Sequence, residues 1–399
     1  MKFGPFSLSR LPRVEFGPGA VSRVPSLCAR YGKRLLLVTG ARSFRASENF
    51  LRLADLLRGE GFAWDDLVVT GEPSPQLVDQ AVADFRGRNI QVVLGVGGGS
   101  ALDTAKAVAG LLHPGNSVLD HLEGVGPEAP YRGPPTPFVA VPTTAGTGSE
   151  ATKNAVLSVR RKGGFKKSFR DDKLVASFAV LDPNLLSGCP RDLVAAEGMD
   201  ALTQLLEAYV SVRAGQFSDS VARGGLEAVR AGLLSWYEKG SGSADAAESR
   251  AAMMYAAFAS GVALSHAGLG AVHGLASPLG AFHPVPHGVA CGTLVAAVTE
   301  ANINAMLSHD PTHAALGKYA DAGRVVTGRV DLDDASARRA LVDWLYEATD
   351  ALKLPRLRAY SVAKTDIPEI VAACRAGSMK TNPVVLTDDE LTAVLVERT

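Results

Sequence analysis

Residues 91–106, QVVLGVGGGSALDTAK, join a short apolar run to a glycine triplet and the opening of a helix. Gln91 to Gly95 is predicted as a strand, Gly97 to Ser100 as the turn at its carboxyl end, and Asp103 and Lys106 fall within a helix that continues to Leu112. Glycines let backbone N–H groups approach a phosphate closely, and the positive end of a helix stabilises the anion. The stretch is neither a Walker A loop nor a clean GxGxxG, and a tight structural turn would use the same glycines. Its place between a strand and a helix favours a pyrophosphate-binding turn.

Around this unit the pattern repeats. Arg34 to Thr39 is a continuous apolar run of the kind covered on both faces of a sheet, followed by the loop Gly40 to Ser43. Helices are predicted over 47–58 and 75–86 and a strand over Asp66 to Thr70, an alternation that implies a parallel sheet. Arg13 to Phe16 reads as a short strand, Ala20 to Arg30 as a helix, and Phe138 to Val141 and Phe178 to Leu181 as further strands. Beyond Pro190 the texture changes: 193–212, 219–234 and 246–264 read as helices, and no further strand run stands out. The expected fold is an N-terminal α/β dinucleotide-binding domain, residues 1–184, with an all-helical domain, residues 185–399.

Lys plus Arg and Asp plus Glu are both 41, so the charge balance gives no argument for nucleic acid or an anionic membrane surface, and small molecules are the expected partners. The N-terminal MKFGPFSLSRLPRVEF lacks the apolar core of a signal peptide. Cys28, Cys189, Cys291 and Cys374 lie far apart and form no CxxC pair, which suggests neither a disulfide framework nor a cysteine zinc site and fits a reducing cytosol.

The second decisive stretch is His273 to His287, HGLASPLGAFHPVPH. Its three prolines forbid one regular helix. No Asp, Glu, Lys or Arg occurs between Ala251 and Thr299, so the histidines sit in the least charged part of the chain, where packed helices explain the apolar run better than a membrane span. Core hydrogen bonding is one fate for such imidazoles. Metal ligation is the other, with Asp200 as the carboxylate that completes a site for zinc or ferrous iron. Asp200 and Gln204, four apart, share a helix face.

GGGSALDTAK (97–106), PTTAGTGSEAT (142–152), GMDALTQLLEAYVS (198–211) and HGLASPLGAFHPVPHGVA (273–290) together resemble the iron-containing (group III) alcohol dehydrogenase family, across nearly the whole chain and in the right order. The resemblance implies a dehydroquinate synthase-like fold, with a Rossmann-like domain, a helical domain, and nicotinamide, metal and substrate in the cleft between them. The family's metal is held by an aspartate and three histidines. Residue by residue these fall on Asp200, Gln204, His273 and His287, so Gln204 stands where the pattern has histidine. Ser277 occupies a position where many members carry a histidine thought to pass protons; His283 and His266 lie near enough in sequence to substitute.

The same resemblance places Gly98, Gly99, Ser100 and Asp103 at the pyrophosphate turn, Thr143, Thr144 and Thr147 near the nicotinamide, and Asn154 and Lys166 along the cofactor. At Gly40 NAD-preferring members often carry an aspartate. Its absence, with Arg42 and Ser43 following, favours NADP(H) over NAD. The expected activity is that of an NAD(P)-dependent alcohol dehydrogenase or aldehyde reductase using Fe2+ or Zn2+, with His273, His287 and Ser277 at the reacting centre, acting as a cytoplasmic dimer. Two other readings share the fold: a metal-independent reductase resembling maleylacetate reductases, and a lyase resembling dehydroquinate synthases.

Overall fold

The computed structural model describes residues 6–161 and 163–399; the first five residues of the N-terminal stretch and Lys162 lie outside them. Among the described residues eight strands are formed: β1 (Arg13–Phe16), β2 (Arg34–Gly40), β3 (Ala63–Val69), β4 (Val92–Gly97), β5 (Phe138–Pro142), β6 (Asn154–Val159), β7 (Phe165–Arg170) and β8 (Phe178–Leu181). Six of them build one sheet in the order β1-β8-β5-β4-β2-β3, every pairing parallel. The helices α1 (Val24–Cys28), α2 (Glu48–Gly59), α3 (Pro75–Phe85) and α4 (Gly99–Leu111) cover it.

Side chains alternate along a strand, so Leu35 and Leu37 of β2 join Val92 and Leu94 in the core under one face, while Leu36 and Val38 pack with Val93 and Leu102 under the other. Burial on both faces explains the continuous apolar runs, each such Leu or Val contributing roughly 1.5–3 kcal/mol. At the sheet's edge β3 pairs only with β2, which is why it tolerates Asp65 and Asp66 and starts earlier than its apolar run predicts.

Strand order reverses between β2 and β4, and in such sheets ligands bind outside the carboxyl ends of the strands at that crevice. Gly40 ends β2 and Gly97 ends β4, on its two sides.

The helical half comprises α5 (Arg191–Val210), α6 (Gln216–Lys239), α7 (Ala247–Ala267), α8 (Ala271–Phe282), α9 (His287–His309), α10 (Ala314–Thr327), α11 (Asp334–Ala351), α12 (Ile367–Ala373) and α13 (Asp388–Arg398). It meets the sheet domain at the 142–152 loop. A Cβ on Gly148, whose φ is +60°, would fall 2.6 Å from Gly261 Cα, so α7 lies directly on this loop. Helix α9 is long and apolar enough to cross a membrane, but 83% of its apolar window is buried inside the protein.

The structure departs from expectation in three places. Ala20 to Arg30 divides into a 3-10 turn, Ala20–Arg23, and the short α1. Lys166 and Lys167, for which no element is expected, belong to an antiparallel hairpin, β6 with β7, whose alternation they hide by placing charge at consecutive positions. Pro278 does not end its helix but sits inside α8, and the break comes at His283 to Pro286.

Candidate metal centre and nucleotide cleft

Three helices supply the centre. On α5, Glu197, Asp200, Gln204 and Glu207 recur at helical spacing and lie on one buried face. Opposite them α8 presents His273, and the 283–286 break turns the chain so that α9 starts on His287 with Cys291 one turn later. The donor atoms of Asp200, His273, His287 and Cys291 all lie within 4.8 Å of one another. Asp200 Oδ1 is 3.3 Å from His273 Nε2 and 3.7 Å from His287 Nε2, and Cys291 Sγ is 3.7 and 3.9 Å from the same two nitrogens.

Asp200 is 1% exposed, and its Oδ1 has no hydrogen-bond donor. An unsatisfied carboxylate oxygen in the interior is costly. Here it faces two imidazole nitrogens in a setting that a divalent cation satisfies, so the residues fit a metal. His273 is already oriented for one: its Nδ1–H donates to Glu207 Oε2 at 2.6 Å, leaving Nε2 to face the cluster, while Glu207 Oε1 accepts from Val272 N–H at 2.7 Å.

The charges reflect this geometry. Burial works against the Asp200 carboxylate, but the two imidazoles outweigh it and hold the acid well below its usual range. Burial, with Lys166 nearby, pushes His287 down to about 3, so it is a neutral imidazole at physiological pH. Burial also pulls on His273, yet Cys291, Glu207 and Asp200 raise it well above the ordinary histidine value.

Gln204 adjoins the cluster with both ends of its amide engaged: Nε2 donates to Asp200 Oδ2 (3.0 Å) and Oε1 accepts from Ser260 Oγ (2.8 Å). Ser277 lies one turn beyond His273 on α8 and is half-buried. His266 packs elsewhere, its Nδ1–H donating to Val262 O and its Nε2 accepting from Ser9 N–H, and His283 faces Asp366 at 3.8 Å.

On the sheet side, Gly98 takes an extended conformation and α4 begins at Gly99, with Ser100 in its first turn. A Cβ on Gly98 would meet Thr144 at 3.2 Å and one on Gly99 would meet Thr147 at 2.8 Å, so the threonine loop closes over the glycine turn. Thr143 N–H donates to Gly97 O (3.0 Å). Arg42 and Ser43 follow β2 beside Gly40. Asp103 is turned into the protein, accepting from Ser149 Oγ (2.5 Å) and Val156 N–H. Lys106, fully buried, donates to Ser149 O, Ser149 Oγ, Thr152 Oγ1 and Asn154 O and fastens this loop to α4. Asn154 Oδ1 accepts from Arg170, and Lys166 reaches Glu72 at 3.4 Å.

The sequence reading missed three residues at the centre. Glu207 was legible as the next member of the Asp200–Gln204 face. Cys291 follows His287 with the four-residue spacing that joins Asp200 to Gln204. Glu197, one turn before Asp200, lies 3.5 Å from Thr144 Oγ1 and is raised to about 7 by burial and then by Asp200.

Residues 12–183 match the family model described as iron-containing alcohol dehydrogenase, and residues 194–398 match that of the C-terminal region of the Fe-containing alcohol dehydrogenase family. Lactaldehyde reductase of Escherichia coli K12 is 33% identical over 368 residues, covering 90% of each chain. Alcohol dehydrogenase 4 of Saccharomyces cerevisiae is 32% identical over 328 residues, 81% of this chain and 80% of the relative. Among solved structures, sulfoacetaldehyde reductase from Bifidobacterium kashiwanohense, in complex with NAD+, superposes with a TM-score of 0.83 at 25% identity over 99% of both chains.

Proposed function

The chain belongs to the iron-containing alcohol dehydrogenase family, and from that premise we propose that this NAD(P)-dependent oxidoreductase acting on CH–OH groups reduces a small aldehyde, or oxidises its alcohol, at a metal centre built on Asp200, His273 and His287. The observation that carries the reading is the buried Asp200 Oδ1, without a hydrogen-bond donor and facing two imidazole nitrogens. When bound, the metal supplies a Lewis acid for the substrate oxygen and the nicotinamide supplies the hydride.

The chain's own residues do the positioning. Glu207 keeps the proton of His273 on Nδ1 and so leaves Nε2 free to ligate. The start of α4 at Gly98, Gly99 and Ser100 offers backbone N–H groups to the pyrophosphate, and the Thr143 to Thr147 loop would flank the nicotinamide. Asp103 supports the turn from behind, through Ser149. We assign Asn154 and Lys166, on the β6–β7 hairpin, to the cofactor as well. Ser277, beside His273 on α8, exchanges the alcohol proton through its hydroxyl with water or the cofactor ribose. We assign NADP(H) as the preferred cofactor because Gly40 places no carboxylate where a 2′-phosphate would lie and Arg42 is near. We divide the domains between residues 184 and 185, and take the protein to act as a cytoplasmic dimer; its four buried cysteines are free thiols suited to a reducing compartment.

Replacing His273 tests the reading. His273→Ala is expected to lose bound metal and aldehyde-dependent NADPH oxidation together, while nucleotide binding persists. Full turnover with undiminished metal would overturn it.

A further inference from the structure

The metal centre proposed above has Gln204 where its family pattern has an imidazole, and that amide is held by Asp200 Oδ2 and Ser260. A fourth donor is nevertheless present. Cys291 is completely buried, and Sγ stands 3.7 Å from His273 Nε2 and 3.9 Å from His287 Nε2. Asp200 Oδ1 lies 3.3 and 3.7 Å from the same two nitrogens.

Four donors around one ion define a polyhedron with characteristic edges. With bonds of about 2.0–2.3 Å, a tetrahedral site puts its donors about 3.3–3.8 Å apart. The four separations fall on or just outside that range. Asp200 Oδ1 is the independent sign that something belongs in the middle, since this nearly inaccessible carboxylate oxygen has no donor of its own. A cation bound to both groups answers that need.

We infer that Cys291 is the fourth protein ligand of the metal, giving an Asp200–His273–His287–Cys291 set in which a thiolate replaces the imidazole lost at position 204. As the Sγ–metal bond forms, the S–H bond breaks and its proton leaves to solvent; no electrons change hands. A sulfur donor makes the site softer than one of carboxylate and imidazoles alone and favours zinc over harder divalent ions such as Mg2+ or Mn2+. The remaining cysteines, Cys28, Cys189 and Cys374, are buried outside the cluster, so a metal–sulfur signal reports Cys291.

The inference rests on the metal reading, and cobalt separates their failures. Metal-stripped full-length protein titrated with Co2+ should bind one ion per chain and develop a near-ultraviolet sulfur-to-cobalt charge-transfer band. Cys291→Ser should lose the band and weaken zinc binding by more than about a hundredfold, since even the partners behind metal ligands are worth 10–100-fold. Cobalt bound by the wild type without that band would overturn the Cys291 assignment and leave the metal reading standing; so would a band that survives in Cys291→Ser. No cobalt binding at all would overturn both. If Cys291→Ser does not fold, X-ray absorption of zinc-loaded wild type decides: one sulfur at about 2.3 Å supports the ligand, and nitrogen and oxygen neighbours alone contradict it.

Discussion

Glu207 and Asp200 have different tasks although both are buried carboxylates on α5. Asp200 offers an unpartnered oxygen to the centre, whereas both Glu207 oxygens are occupied behind His273, by its Nδ1–H and by Val272 N–H. Glu207 therefore acts through the imidazole. Glu207→Gln keeps the volume but removes the charge, and one amide end now presents donors to groups that are themselves donors. Metal affinity should fall about 10–100-fold in competition with a chelator, with fold and nucleotide binding retained; unchanged affinity would reduce Glu207 to packing. His273 and His287 stood out in the sequence because imidazoles in an apolar stretch need partners, and Asp200 because a carboxylate from elsewhere would complete their site and because it matches the family's metal motif. Cys291 did not, since a lone cysteine looks like any small buried residue until the helices bring it to two imidazoles. Gln204 was legible as a departure on the face of Asp200, but the hydrogen bond it accepts from Ser260 depends on α7 crossing α5, which no local pattern encodes.

At the scale of elements, the cofactor proposal rests on the β2–β4 crevice. Gly40 closes β2, and a Cβ added there meets nothing within 4 Å, so a side chain is sterically tolerated at this point. Gly40→Asp would place a carboxylate at the strand end, where it repels a 2′-phosphate and accepts from ribose hydroxyls. The expected outcome is a KM for NADPH raised about tenfold or more, the KM for NADH unchanged or lowered, and kcat little altered; equal effects on both nucleotides would place the adenosine ribose elsewhere. Strands covered on both faces were readable because their apolar runs are unbroken, as at Leu35 to Val38 and Val92 to Leu94. The β6–β7 hairpin is not legible because Lys166 and Lys167 interrupt its alternation, and Pro278 does not break α8 because burial within the helical half holds the helix together around it.

Across the whole molecule, the sheet carries the loops proposed to hold the nucleotide and the helical domain carries the candidate ligands, so neither half alone contains the proposed site. Their junction is fixed by backbone contact: Gly148 against Gly261, and Gly146 so close to Glu197 that an added Cβ would lie 2.3 Å from its carboxylate. Hydride transfer requires donor and acceptor to be held at short range away from water, which a cleft between two packed domains provides. The alternation of strands and helices, followed by helices alone, announced this division early; the way α5, α8 and α9 converge on one point emerges only from the folded chain. The most direct test of the account is the rate of NADPH oxidation over a panel of small aldehydes, measured on protein as purified, after chelation to a metal-free state, and after zinc or ferrous iron is restored. The account predicts that activity is lost with the metal and returns with it, at about one ion per chain. Metal-free protein that reduces aldehydes at the original rate would contradict it, and would assign the chemistry to hydrogen-bond donors on this same fold.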